Sequence, residues 1–204
     1  MTTPHRAASS FFRRIALIGA AAIVSCAGAE ATLASSPLRL FWTDRAAGQI
    51  QAASLDGSDV ETIVAGLPGP QGVAVDPVGG RLYWADTTEG AIRSSFLDGS
   101  DQILVRAGVG FPTGVDVDPI GRMVYWCDPV FGHIQRAPIG PGQIETILTG
   151  LSVPQDLVAD PASGRLYVAA GNVGIFSATL NGDDLSLLTP SFDGQSVTLD
   201  LSAT

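Results

Sequence analysis

The stretch Leu82-Tyr83-Trp84-Ala85-Asp86 decides the fold, because the chain writes a version of it four times. Leu40-Phe41-Trp42-Thr43-Asp44 comes before it. Val124-Tyr125-Trp126-Cys127-Asp128 and Leu166-Tyr167-Val168-Ala169-Ala170 come after. Their third residues stand at 42, 84, 126 and 168, a constant spacing of 42. Gly48, Gly90, Gly132 and Gly174 keep the same step, trailed two residues on by Ile50, Ile92, Ile134 and Phe176. Turn pairs follow in order: Asp56-Gly57, Asp98-Gly99, a degenerate Gly140-Pro141, and Asn181-Gly182 after a one-residue deletion. Val73-Ala74-Val75-Asp76-Pro77 returns at 115–119 and 157–161, with a worn copy, Val197-Thr198-Leu199-Asp200, near the end. Self-similarity at a fixed period of this size marks a stacked-repeat architecture.

Each repeat holds four short runs, alternating or wholly apolar, separated by Asp-Gly, Asn-Gly and Pro-Gly punctuation. Such runs read as strands. The Asp-Gly and Asn-Gly pairs suit a two-residue hairpin, whose central positions need positive φ. No segment past residue 34 carries a sustained helical period. A four-stranded repeat of 42 residues with a Trp-Asp signature predicts an all-β chain, a β-propeller built blade by blade.

The Trp42-Thr43-Asp44 and Trp84-Ala85-Asp86 motifs, with the downstream Leu55-Asp56-Gly57-Ser58 and Leu97-Asp98-Gly99-Ser100, resemble low-density-lipoprotein-receptor class B repeats, the YWTD family. The resemblance spans residues 38–204. Two repeats match closely, the third loses its Asp-Gly turn, and the fourth loses both Trp and Asp. It implies blades in which the YWTD strand is second and the Val-Ala-Val-Asp strand innermost, with the Trp and Asp holding neighbouring blades together. It also implies six blades, whereas this chain supplies four. Its ends suggest how four could suffice. The repeats begin on a second strand, 39–43, and finish on an innermost one, 195–200. The C-terminal strand can therefore close a four-bladed ring by joining the first blade, which abolishes exposed edges. The alternative is an open arc of the six-bladed type, completed by a partner or by a second copy in a homodimer.

Residues 1–34 read as an export signal peptide and 35–204 as the propeller. Arg6, Arg13 and Arg14 precede the apolar run 15–24, which is shorter than the roughly 20 residues a membrane span needs. Ala27-Gly28-Ala29 and Thr32-Leu33-Ala34 offer ordinary cleavage sites. Ile23-Val24-Ser25-Cys26 resembles a bacterial lipobox, which would make Cys26 the lipidated N-terminus. The expected location is therefore outside the cytoplasm: bacterial periplasm, outer-membrane lipoprotein or secreted, with membrane contact only through leader or lipid. Cys26 and Cys127 are the two cysteines, so the exported chain contains no intramolecular disulfide on either reading and stands on its packing.

Charge and composition narrow the function. All twenty acids but only eight of the eleven arginines fall after residue 25, and there is no Lys. A body that acidic repels phosphate backbones, which excludes nucleic acid as a partner. Aligning the repeats puts Gln71, Thr113, Gln155 and Gln195 at one position, just before each innermost strand. Asp156 and Ser196 follow where other repeats carry Gly72 and Gly114, and Asp116 replaces Ala74. These residues form a polar collar at the channel mouth, whose two carboxylates offer oxygen ligands to a cation such as Ca²⁺; a plain hydrated lining is the simpler reading, and no cofactor is required. The recurrent Asp76, Asp118, Asp160 and Asp200 read as turn formers. Phe131 and His133 sit on an apolar-flanked loop and form a candidate recognition patch. No Ser-His-Asp set and no G-x-S-x-G motif is present. The sequence thus predicts a non-catalytic binding module for an unknown protein or small ligand. A metal-dependent, lactonase-like hydrolase and a purely structural surface repeat are the alternatives.

Overall fold

The computed structural model describes residues 15–17, 38–190 and 195–199. Among them the strands form four antiparallel sheets of four. The first comprises β1 (Ile15–Leu17), β2 (Arg39–Asp44), β3 (Gln49–Ser54) and β4 (Glu61–Ala65). The second comprises β5 (Pro70–Asp76), β6 (Arg81–Asp86), β7 (Ala91–Phe96) and β8 (Ile103–Ala107). The third holds β9 (Val115–Asp118), β10 (Met123–Asp128), β11 (His133–Pro138) and β12 (Glu145–Leu148). The fourth holds β13 (Pro154–Asp160), β14 (Arg165–Ala170), β15 (Gly174–Thr179) and β16 (Ser186–Pro190). Within each sheet the strands lie in chain order. Neighbouring sheets meet along their inner strands, with β1 and β2 beside β5, β5 beside β9 and β9 beside β13. Four sheets set side by side in this way are propeller blades.

A blade covered on both faces explains the continuous apolar runs that the second strands carry, since a strand buried on two sides has no solvent face to alternate with. In β6 and in β10 every residue after the first is buried. The core is accordingly three seams, one between each pair of blades. Phe41, Ile50 and Val64 of the first blade meet Leu82 and Trp84 of the second. Tyr83 and Ile92 of the second meet Val124 and Trp126 of the third. Tyr125, Ile134 and Leu148 of the third meet Leu166 and Val168 of the fourth. Each such side chain contributes roughly 1.5–3 kcal/mol on burial.

Every blade also bulges between its third and fourth strands. Pairing between third and fourth strands slips at Ile50/Gln51, Ile92/Arg93, Ile134/Gln135 and Ile175/Phe176, so Ile63, Val105, Ile147 and Leu188 are left without a pairing partner. A bulge bends its strand and re-aims a side chain. Here Ile63, Val105 and Ile147 pack into the seam with the next blade, where Leu97, Ile139 and Leu180 also lie.

Two expectations need correction. The Asp-Gly and Asn-Gly turns are not two-residue hairpins. Gly57 N donates to Ser54 O at 3.0 Å and Ser54 N to Ser58 O at 2.9 Å, which closes a loop of three residues. Gly99 and Gly182 repeat this pattern, and the glycines have φ of +82°, +83° and +89° while Asp56, Asp98 and Asn181 stay negative. The reason lies in the Asp side chain: Asp56 Oδ1 accepts from Ser58 N at 2.9 Å and Asp98 Oδ1 from Ser100 N at 2.9 Å, which favours an ordinary turn followed by one left-handed glycine. In the fourth repeat, Ala169 pairs with Ile175 as Thr43 pairs with Ile50. The equivalent of Ile50 is therefore Ile175, not Phe176, and the one-residue deletion lies in the turn before β15.

At the inner edge of the first blade the described partner of β2 is β1, with Ile15 opposite Trp42 and Leu17 opposite Leu40. Val73 opposite Trp84 and Val75 opposite Leu82 show the same register one blade on. Residues 195–199 carry no strand assignment, and Asp200 lies outside the described residues. Ring closure through that segment is thus not among the described pairings. Of the export leader only residues 15–17 are described, so Cys26 and the cleavage sites also lie outside.

Candidate functional site

Antiparallel order puts the turns between second and third strands at the same end of every blade as the loops that enter the innermost strands. The recurrent glycines tie these two loop types together. Gly48, Gly90 and Gly132 have φ of +64°, +60° and +68°. Their carbonyls accept from Leu67 N, Val109 N and Leu151 N at 2.9–3.1 Å. A Cβ at Gly90 would stand 2.7 Å from Gly110 O, so only glycine serves.

Polar residues from successive blades converge at this end. Gln71, Thr113, Gln155, Asp156, Gln195 and Ser196 line one pocket of about 200 Å³, with Gly72, Gly114, Pro129 and Val153. Backbone closeness between innermost strands shapes its wall. Gly72 N donates to Thr113 O at 2.9 Å, and Thr113 Oγ1 donates to Gln155 O at 3.0 Å. A Cβ on Gly114 would lie 2.6 Å from the Asp156 Cα, so glycine there admits the next strand. Asp156 is 3% exposed, and its Oδ2 accepts from Ser196 Oγ at 2.7 Å and from Val197 N at 3.2 Å. On the far side Arg45 Nη1 donates to the Gln71 amide oxygen at 2.8 Å. The pocket therefore offers side-chain amides and hydroxyls against one buried carboxylate.

Asp116 is not in the pocket wall. Its Oδ2 accepts from Ala159 N at 2.9 Å, binding the third blade's inner strand to the fourth's. Asp116 and Asp156 do the same work one blade apart, each receiving the backbone of the following inner segment. Among the described residues no three of His, Cys, Asp and Glu gather in a group fit to hold a metal ion. Asp76 and Asp118 each take two turn amides through Oδ1, at 2.7–2.9 Å, as turn formers do. Asp160 does likewise at 3.1 and 3.2 Å, and the Ser163 hydroxyl holds its carboxyl below the usual carboxylate range.

Phe131 on the β10–β11 loop and His133 at the start of β11 stack, with ring centroids 5.9 Å apart and planes 26° from parallel. They stand outside the pocket wall, but Pro129 on the same loop is part of it. Sequence reasoning missed the residues around them. Phe111, Val130 and Val153 are 46%, 62% and 44% exposed and join Phe131, 60% exposed, in an apolar rim on adjoining loops. Phe111 N donates to Asp128 Oδ2 at 3.2 Å, which ties its loop to the Phe131 loop. Val153 also has φ of +48°, a strained conformation for a β-branched side chain. Apolar residues in the sequence of these turns were the available signal.

Residues 39–77 match the model for the low-density lipoprotein receptor repeat class B. That unit runs from β2 to the end of β5, so it begins in one blade and ends in the next. No curated protein matches the chain. Among solved structures it is similar to a nidogen/laminin complex, at 24% identity and a TM-score of 0.65, over 69% of this chain and 56% of that one. Virginiamycin B lyase from Staphylococcus aureus gives 15% identity and 0.63, over 79% and 56%. A streptogramin B lyase gives 16% and 0.64, over 81% and 57%. The chain thus spans a little over half the length of each, and the likeness is one of fold.

Proposed function

We propose that the chain is an exported, non-catalytic binding module that recognises a partner at the pocketed end of its blades. The observation that carries this reading is the convergence of Gln71, Thr113, Gln155, Asp156 and Gln195 on one pocket beside an exposed apolar rim. A few fixed polar groups next to apolar and aromatic surface are what recognition sites are made of. The amides take a polar main-chain or side-chain group of the partner, and Phe131, His133, Phe111 and Val130 take its apolar part. Val153 adds support, because left-handed β-branched residues persist where the surroundings hold them for a purpose. One of the matched structures is a complex of nidogen with laminin, which fits a protein partner. Two others are lyases, so chemistry at the same end is the competing reading.

The test screens the purified chain against immobilised peptide and glycan arrays. Hits are then titrated against Gln155→Ala, Phe131→Ala and, at the opposite end of the blades, Asp98→Asn. Binding should fall at least tenfold in the first two and persist in the third. Equal binding by all three would place recognition elsewhere. Chemical conversion of a bound hit, seen by mass spectrometry, would replace the binding module with an enzyme.

A further inference from the structure

Polar and apolar groups are not spread evenly around the pocket, and their hydrogen bonds show which polar groups remain to serve a ligand. Asp156 is committed, since its Oδ2 accepts from Ser196 Oγ and Val197 N. Thr113 spends its hydroxyl proton on Gln155 O. Gln71 is fixed twice over. Its backbone carbonyl accepts from Thr43 Oγ1 at 2.5 Å, and its side-chain oxygen accepts from Arg45 Nη1 at 2.8 Å. A guanidinium only donates, so the amide must turn its oxygen to Arg45 and keep both N–H groups for the pocket.

Arg45 differs from the other arginines. Five of the eight described arginines pair with a carboxylate. Arg106 donates to backbone carbonyls and Arg165 to the Ser177 hydroxyl. Arg45 is exposed on the β2–β3 turn, and among the described residues its hydrogen-bond partner is the neutral amide of Gln71. In a chain with twenty acids against eleven bases, an exposed cation left without an acid is unusual. The first and second blades therefore bring donors and one positive charge to the pocket. The third and fourth bring Pro129 and Val153 in its wall, with Phe111 and Phe131 exposed on the rim.

Building on the binding module proposed above, we propose that this pocket takes a small monocarboxylate with an apolar substituent. The carboxylate lies on the Gln71 amide and the Arg45 guanidinium, and the apolar group lies on Pro129, Val153 and Phe131. A carboxylate is acceptor-only and planar, which suits a planar guanidinium and an amide that offer N–H groups alone. One cation balances one charge. A phosphate monoester carries roughly −1.5 to −2 and would leave excess negative charge close to the buried Asp156. The pocket volume of about 200 Å³ is below the range of about 300–1,000 Å³ typical of drug-sized sites, which leaves room for a single residue or a small acid. The same chemistry comes from the C-terminal residue of a peptide or from a free organic acid.

Isothermal titration of the full-length chain tests this with N-acetylphenylalanine and N-acetylphenylalaninamide. The acid should bind saturably, and the amide at least tenfold more weakly. Arg45→Gln should weaken the acid at least tenfold and leave the amide unchanged. Gln71→Glu gives Arg45 a carboxylate from the chain itself and should have the same effect. Both variants should keep the wild-type far-ultraviolet circular dichroism. An acetylated tripeptide ending in a free phenylalanine carboxylate and 3-phenylpropionate separate the two sources: tighter binding of the first assigns a peptide terminus, and of the second a free acid. Equal affinity for acid and amide, with Phe131→Ala still weakening both, would overturn the carboxylate and leave the binding module standing. Failure of every acid to bind would overturn it as well. Acid binding indifferent to Arg45→Gln, Gln155→Ala and Phe131→Ala alike would overturn both this assignment and the pocket as the recognition site.

Discussion

Trp84 offers a test of how each blade satisfies its central indole. Trp42 Nε1 donates to Gln51 Oε1 and Trp126 Nε1 to Gln135 Oε1, both at 3.0 Å. In each case the glutamine is the residue directly opposite on the third strand. Opposite Trp84 stands Arg93. A guanidinium has donors only, so it cannot receive the indole proton. Trp84 is fully buried and its Nε1 has no hydrogen-bond partner. Arg93 turns instead to Glu89, in a partly exposed ion pair.

Arg93→Gln should restore the missing acceptor. An unsatisfied buried donor costs about 1–3 kcal/mol. The ion pair given up is worth about 0.2–1 kcal/mol at such exposure. The net expectation is a stabilisation of about 1 kcal/mol, or a rise in Tm of about 2–4 °C for a chain of this size. Urea and thermal unfolding followed by circular dichroism measure it. The reciprocal change, Gln135→Arg, should cost about 1–2 kcal/mol by orphaning Trp126. A double-mutant cycle isolates the cause, because in a Trp84→Phe background Arg93→Gln should gain nothing. An unchanged or lowered Tm for Arg93→Gln, or the same gain in the Phe background, would refute the reasoning.

Gly90→Ala should destabilise by about 2–3 kcal/mol, because φ of +60° and a Cβ 2.7 Å from Gly110 O both oppose a side chain; a loss below about 0.5 kcal/mol in urea would show that the loop yields freely. Asp98 has its pKa lowered by the hydroxyl of Ser100 and then by its backbone amide. A lowered pKa means that the carboxylate's contribution is present above the unfolded value of about 3.9 and is lost as pH falls through the folded value. The Tm gap between wild type and Asp98→Asn should therefore be open at pH 7 and close below about pH 4, and a gap independent of pH would sink this account.

How much of this protein is legible without its structure depends on whether a feature repeats. The 42-residue step, the blade as its unit, the second strands and the turn positions follow from sequence alone, because each is a local pattern that the chain copies from blade to blade. The collar was legible for the same reason: Gln71, Thr113, Gln155 and Gln195 share one phase of the repeat, so any stacking of blades gathers them at one end. Single-copy features were not legible. Val153 in a left-handed conformation, the apolar rim with Phe111 and Val130, and Asp116 bound to Ala159 rather than facing the pocket all depend on how one loop meets its neighbour. The orphaned indole of Trp84 needed the strand pairing to set it against Arg93. The Asp-Gly turns showed that a dipeptide marks a bend without settling its length, since the Asp side chain selects a three-residue loop. Only the tertiary structure decided which faces are left over. Burial depends on what packs against each blade, which no single repeat records: Leu97 lies in the seam with Ile63, whereas Leu55 and Leu188, at corresponding places in the first and fourth blades, stand about half exposed.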